Sequence, residues 1–282
     1  MNRRGFTLVE LLVTLTVMAV LGMALTRLLT NATRFVSRQD AMLSARQGAR
    51  AALNTIVAEL QLVGDSGLTA AVADGKSVTV RLPYAFGVTC RRASSQSFVA
   101  SLLPVDSLTY ASAAPGGFAW RRLTGVYTNV PGAYTVAPSA DAALCDADSV
   151  RIVPGGSRVV VSGYPAVNAP DSLAVFTLFQ MVTYRFGSST NLPGRTALWR
   201  KAGGGGDEEL VAPFGAAAGF GFLVGGPKAA TLTLQNTPPA DLNTVRGLEL
   251  RLFAESQWPA QGTGAPQMFP LKTRVMFSNK AS

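Results

Sequence analysis

From Phe6 to Thr26 the chain reads FTLVELLVTLTVMAVLGMALT, and Glu10 is its only ionisable side chain. As a helix rising about 1.5 Å per residue, this run spans roughly 30 Å, the thickness of a bilayer's hydrocarbon core. A helix that is apolar all round must find lipid or neighbouring helices. Arg3 and Arg4 precede the run and favour a cytoplasmic N-terminus, although Arg27, Arg34 and Arg38 follow on its far side. An ordinary secretory signal cut after Ala24 would begin in the same way. Two features oppose it: a lone carboxylate in hydrocarbon is costly unless paired or protonated, and the helical pattern runs on past the cut.

Beyond Thr26 that pattern turns amphipathic. Leu28, Ala32, Phe35, Val36, Met42, Ala49, Leu53, Ile56, Val57 and Leu60 recur at three- and four-residue steps, with Arg34, Arg38, Arg46, Arg50 and Glu59 mainly outside the stripe. Gly64, followed by Asp65-Ser66-Gly67, supplies a stop. The spacing predicts a single helix from Phe6 to about Val63, about 85 Å long, whose stripe packs onto the protein's own sheet.

The segment Arg4-Gly5-Phe6-Thr7-Leu8-Val9-Glu10-Leu11-Leu12 resembles the processing signal of type IV pilins and type II secretion pseudopilins. The resemblance implies that a prepilin peptidase cuts between Gly5 and Phe6 and methylates the new amine of Phe6. It also implies that Glu10, fifth in the mature chain, pairs with a neighbouring subunit's amine during assembly. Chemistry makes sense of this pattern. Gly lets a protease approach the backbone, and pairing across subunits would relieve the desolvation cost of Glu10 and fix the axial register. Major pilins usually carry a proline near the membrane exit, where this chain reads Leu25-Thr26-Arg27-Leu28. That departure implies a straighter helix and a minor subunit.

After residue 68 the texture becomes strand-like. Candidate strands are Lys76–Leu82, Ser149–Val153, Arg158–Ser162, Leu173–Arg185, Thr196–Lys201, Phe220–Val224, Ala230–Leu234, Val245–Ala254 and Leu271–Asn279. Leu248, Leu250 and Leu252 alternate with Glu249 and Arg251, and Leu271, Thr273, Val275 and Phe277 alternate with Lys272 and Arg274. Such period-2 faces mean a sheet with one buried side. The Pro/Gly/Ala-rich stretch from Ala111 to Ala147 reads as a long insertion or irregular region. The succession VTYRF, ALWRK, ELVAPF, FGFLV, VRGLELRLF and KTRVMFSN is similar to that of PilW-like minor pilins and J-type pseudopilins.

Histidine is absent from the chain, which removes Ser-His-Asp and Cys-His nucleophile activation, histidine bases and histidine metal ligands. Two cysteines, Cys90 and Cys145, are too few and too far apart for a zinc site. They could form one disulfide in an oxidising compartment, worth roughly 4 kcal/mol by the chain-entropy model; two buried free thiols are the alternative. The remaining motifs are weak. Gly64-Asp65-Ser66-Gly67 looks like a protease nucleophile segment but has no histidine to activate Ser66. AAVADGKS, residues 70–77, is one Gly short of a P-loop and follows a helix. Gly203–Gly206 with Asp207, Glu208 and Glu209 could hold a cation, but a hairpin loop explains it. Arg91-Arg92, Arg121-Arg122 and Arg200-Lys201 could meet DNA phosphates, and the net charge of +9 permits anionic partners without showing one.

The reading is therefore an α+β chain: a long N-terminal helix packed on an antiparallel β-sheet head. Residues 1–5 form a leader, residues 6–29 the transmembrane and assembly half of the helix, and residues 30–282 the head. The expected role is a minor pilin that primes or caps a type IV pilus. A type II secretion pseudopilin and a DNA-binding competence pilin are the alternatives. No enzyme activity, catalytic residue, metal or cofactor is expected. The expected partners are the prepilin peptidase/methyltransferase, other major and minor pilins, the inner-membrane assembly platform and the lipid bilayer, with DNA as a further candidate. The expected location is the inner membrane and then the cell surface.

Overall fold

A computed structural model describes residues 7–64, 66–108, 110–111, 113–121, 125, 127–139, 145, 157–226 and 231–277. One helix, α1 (Leu8–Gln61), opens the chain. At 54 residues it is about 81 Å long. Its burial changes along its length. Residues 8–29 are exposed throughout, whereas Ala45, Ala49, Ala52, Ile56 and Leu60 are buried. These five lie three or four residues apart and form one stripe. The expected stripe began at Leu28, but Leu28, Phe35 and Val36 stay exposed. The sheet reaches α1 only over its last turns, and the small alanines let backbone and sheet approach closely there.

The head is antiparallel. Its strands are β1 (Leu68–Ala71), β2 (Ser77–Ser94), β3 (Ser97–Leu102), β4 (Gly117–Arg121), β5 (Tyr127–Pro131), β6 (Thr135–Pro138) and β7 (Arg158–Ser162), followed by β8 (Val175–Ser188), β9 (Thr196–Ala202), β10 (Asp207–Phe214), β11 (Gly219–Val224), β12 (Thr233–Gln235), β13 (Val245–Glu255) and β14 (Met268–Met276). Among the described residues they form one sheet in the order β12-β11-β13-β10-β9-β8-β2-β3-β7-β6. β1 is paired to β2, β14 to β13, and β4 to both β5 and β8.

Two cores share this sheet. The first lies under α1, where Ile56 and Leu60 meet Val80, Val182, Phe220, Leu250 and Val275. Burying an Ile or Leu of this kind stabilises by about 1.5–3 kcal/mol. The second lies beyond the helix and is aromatic: Phe98, Phe118, Tyr164 and Phe176 have ring centroids 5.2–6.0 Å apart. β2 and β8 run through both cores. The change of core falls at a register shift between Pro83 and Ala85, where a residue without an N–H is tolerated.

Three strands, β4 to β6, occupy the stretch between residues 111 and 147 that reads as irregular in the sequence. The correction has a physical reason. Gly117, Phe118, Ala119 and Trp120 are all buried, so β4, paired to β8 and β5, shows no alternation. β2 likewise continues twelve residues past the expected end at Leu82, through Pro83 and Gly87. The expected strand Ser149–Val153 lies outside the described residues.

Candidate functional site

The chemistry-bearing end of α1 begins at its cap. Thr7 is extended and precedes the first helical turn. Its hydroxyl accepts the Glu10 N–H at 3.3 Å, and Glu10 Oε2 accepts the Thr7 N–H at 3.0 Å. The Thr7 hydroxyl also lies 3.0 Å from the same carboxylate oxygen. This reciprocal box satisfies two donors that a helix start leaves open. Glu10 Oε1 accepts no hydrogen bond among the described residues, so the carboxylate keeps capacity for another donor. Gly5 and Phe6, the expected processing pair, lie outside the described residues.

Behind the cap, Leu8, Val9, Leu12, Met18 and Leu21 are more than half exposed. The segment is long and apolar enough to cross a membrane, and none of its most apolar window is covered by the head. Its hydroxyls are satisfied internally. Thr14, Thr16 and Thr26 donate to the carbonyls of Leu11, Val13 and Gly22 at 2.8–2.9 Å. An apolar solvent would therefore meet no unpaired hydroxyl donor on these three residues.

Farther along, Glu59 ties the helix to the head. Arg200 on β9 donates Nε to Glu59 Oε2 at 3.1 Å and Nη2 to Oε1 at 2.9 Å, a two-pronged contact that fixes orientation as well as charge.

The weaker sequence motifs receive structural roles. Ser66 sits in the turn that ends α1, with a φ of 53°. The Asp74-Gly75-Lys76 stretch is the tight turn from β1 to β2. Gly75 has a φ of 68°, Lys76 N–H donates to Asp74 Oδ1 at 2.8 Å, and Lys76 Nζ donates to the carbonyls of Ala216 and Ala218. An antiparallel hairpin of this kind is not the strand-to-helix loop that cradles phosphate. Residues 203–206 join β9 to β10. Asp207 takes an ion pair from Arg185 at 2.6 Å. Burial would raise the Glu209 carboxyl, but hydrogen bonds from the Ser189 and Thr190 hydroxyls and the N–H groups of Thr190 and Asn191 outweigh it and hold it at about 2. Both carboxylates thus face protein donors.

Among the basic residues weighed for DNA, Arg92 donates to the carbonyls of Ala169 and Pro170, and Arg200 holds Glu59. Arg121 stacks over Tyr127 at 5.6 Å, and Arg122 lies outside the described residues. Cys90 and Cys145 are both buried and joined by a disulfide.

Residues 1–26 match the family model of the prokaryotic N-terminal methylation motif. The chain carries a prepilin-type methylation signal. The matched residues include the cap, Glu10 and most of the exposed apolar stretch, and the match supports a type IV pilin-like or pseudopilin precursor, to which an apolar helix long enough to anchor in a membrane is suited. It implies a prepilin peptidase and other pilins as partners. No curated protein and no solved structure matches. Strands β8 to β11, β13 and β14 all contribute side chains to the core beneath α1. Sequence reasoning found Glu10 but missed its local partner; the Thr7-x-x-Glu10 spacing of a capping box was the available signal.

Proposed function

We propose that this protein is a minor pilin. It enters the inner membrane through residues 6–29 with its head outside the cytoplasm, is cut between Gly5 and Phe6, is methylated on Phe6, and joins a type IV pilus that it primes or caps. The observation that carries this reading is the exposed apolar half of α1, most of which lies within the matched methylation motif. A helix with nothing of its own to pack against is built for lipid first and neighbouring helices later. The unbroken helix through residues 25–28 favours a minor subunit.

In this reading Glu10 acts in assembly. Its free oxygen is available to a neighbour's amine while Thr7 holds the side chain in place. Glu10→Ala should leave insertion intact and reduce incorporation into sheared filaments, and Glu10→Gln separates charge from shape. Wild-type incorporation of both variants would defeat the pairing mechanism. The strand succession β8 to β11, β13 and β14, which resembles J-type pseudopilins as well as PilW-like minor pilins, keeps a J-type pseudopilin as the second reading. Co-purification with surface pili, against a requirement for hydrolase secretion, separates the two. A DNA-binding role has less support, because Arg92 and Arg200 direct their donors at the protein itself.

A further inference from the structure

Residues 256–267, between β13 and β14, read SQWPAQGTGAPQ and contain no charged side chain. Contacts along α1 fix where this strap sits. Arg46 lies over Phe269, at the start of β14, with 5.2 Å to the ring centroid. A groove farther along is lined by Leu53, Val57 and Gln61 of α1 with Thr273 and Met276 of β14. β14 therefore runs away from the apolar end of α1, and the strap before it reaches back toward that end. Gln261 N–H donates to Ser37 Oγ at 3.0 Å. Gly262 comes so near the helix that a Cβ there would stand 3.2 Å from Arg34 Nε.

The strap is held in shape. Ser256 N–H donates to the Gln267 carbonyl at 2.8 Å, Thr263 Oγ1 donates to the Ala260 carbonyl at 2.7 Å, and Ala260 is buried. On this frame Trp258 is 72% exposed, whereas Trp120 and Trp199 are 2% and 7% exposed. An exposed indole, apolar in body and polar at its N–H, suits a surface that is apolar on one side and wet on the other.

We propose that the strap rests on the surface of an anionic bilayer before assembly, with Trp258 in the headgroup layer. This contact presupposes that α1 crosses the membrane as described above. If the span ends near Leu29, Arg34 stands about 8 Å and Ser37 about 12 Å farther along the helix. The headgroup layer is roughly 5–7 Å deep, and a helix tilt of about 20° brings one side of the head closer. Trp suits that layer because its body is apolar and its N–H polar. Arg27, Arg34 and Arg38 lie along about 16 Å of one side of α1, from the end of the span outward, and make no ion pair among the described residues, which matches lipid phosphate. An uncharged strap beside three arginines fits a phosphate-bearing surface better than an acidic protein.

The other two tryptophans are buried, so quenching of the full-length protein's fluorescence by lipid or iodide reports Trp258 selectively. In vesicles of phosphatidylglycerol and acyl-brominated phosphatidylcholine, the wild type should show lipid quenching and reduced access to iodide relative to detergent micelles. Trp258→Phe should lose the quenchable component. Arg34→Gln with Arg38→Gln should weaken the quenching, most in vesicles rich in phosphatidylglycerol. Carbonate extraction of the same samples reports whether α1 is inserted. Unquenched, iodide-accessible Trp258 with α1 inserted would overturn the inference alone. Extractable protein would overturn the membrane reading and the inference with it. Protection of Trp258 in filaments but not in vesicles would overturn it in favour of a contact between subunits.

Discussion

The two halves of α1 share one unbroken backbone and differ in what surrounds them. The first half shows large side chains, Leu, Val and Met, to the outside and buries none. The second half turns small alanines at positions 45, 49 and 52 toward the sheet and only then Ile56 and Leu60. Apolar content is therefore a poor guide to burial within this chain. The greasier half is the open one, and the half that is buried does so through size and spacing. The first kind of surface demands an external partner, whereas the second completes a domain.

That contrast can be broken in graded steps on the detergent-solubilised protein, with stability read by denaturant unfolding. Ile56→Glu places an unpaired carboxylate among Val80, Phe220 and Leu250 and should cost about 4 kcal/mol or more. An unchanged midpoint would show that the sheet does not cover this face. Ala52→Leu adds bulk at a fully buried position of the helix and should cost about 1–3 kcal/mol. Glu59→Gln leaves the partly buried Arg200 without its charge partner and should cost about 1 kcal/mol. Leu21→Ala, in the open half, should move head stability by less than about 0.5 kcal/mol. A larger loss would mean that the head shelters this half as well.

How much of this was legible in the sequence depended on whether the signal was local. The helix appeared within two residues of its observed ends, because periodicity, the Gly64 stop and the apolar run are local. β13 and β14 were legible because one face of each packs into the core while the other carries charged side chains, Glu249 and Arg251 on β13 and Lys272 and Arg274 on β14, which writes an alternation. β3 and β4 were not. Phe98 to Leu102 and Gly117 to Trp120 are buried residue after residue, so no period-2 pattern exists to be read. The far half of β2 was hidden by Pro83 and Gly87, which punctuate a sequence even where the fold absorbs them, Pro83 at a register shift and Gly87 in regular register opposite Phe176. At the functional end, Glu10 stood out as a charge within an apolar run. The strap with Trp258 did not, because its meaning comes from Ser37 and Arg34, which lie more than two hundred residues away in the chain.

The central claim is that the open half of α1 belongs to a processed filament subunit, and the mature N-terminus tests it most directly. Mass spectrometry of the protein recovered from cells should find a chain beginning at N-methylated Phe6, and Gly5→Leu should leave the uncut precursor in the membrane. A mature chain beginning at Leu25 would contradict the claim, because cleavage there would remove Glu10 and most of the apolar half that an assembling subunit needs.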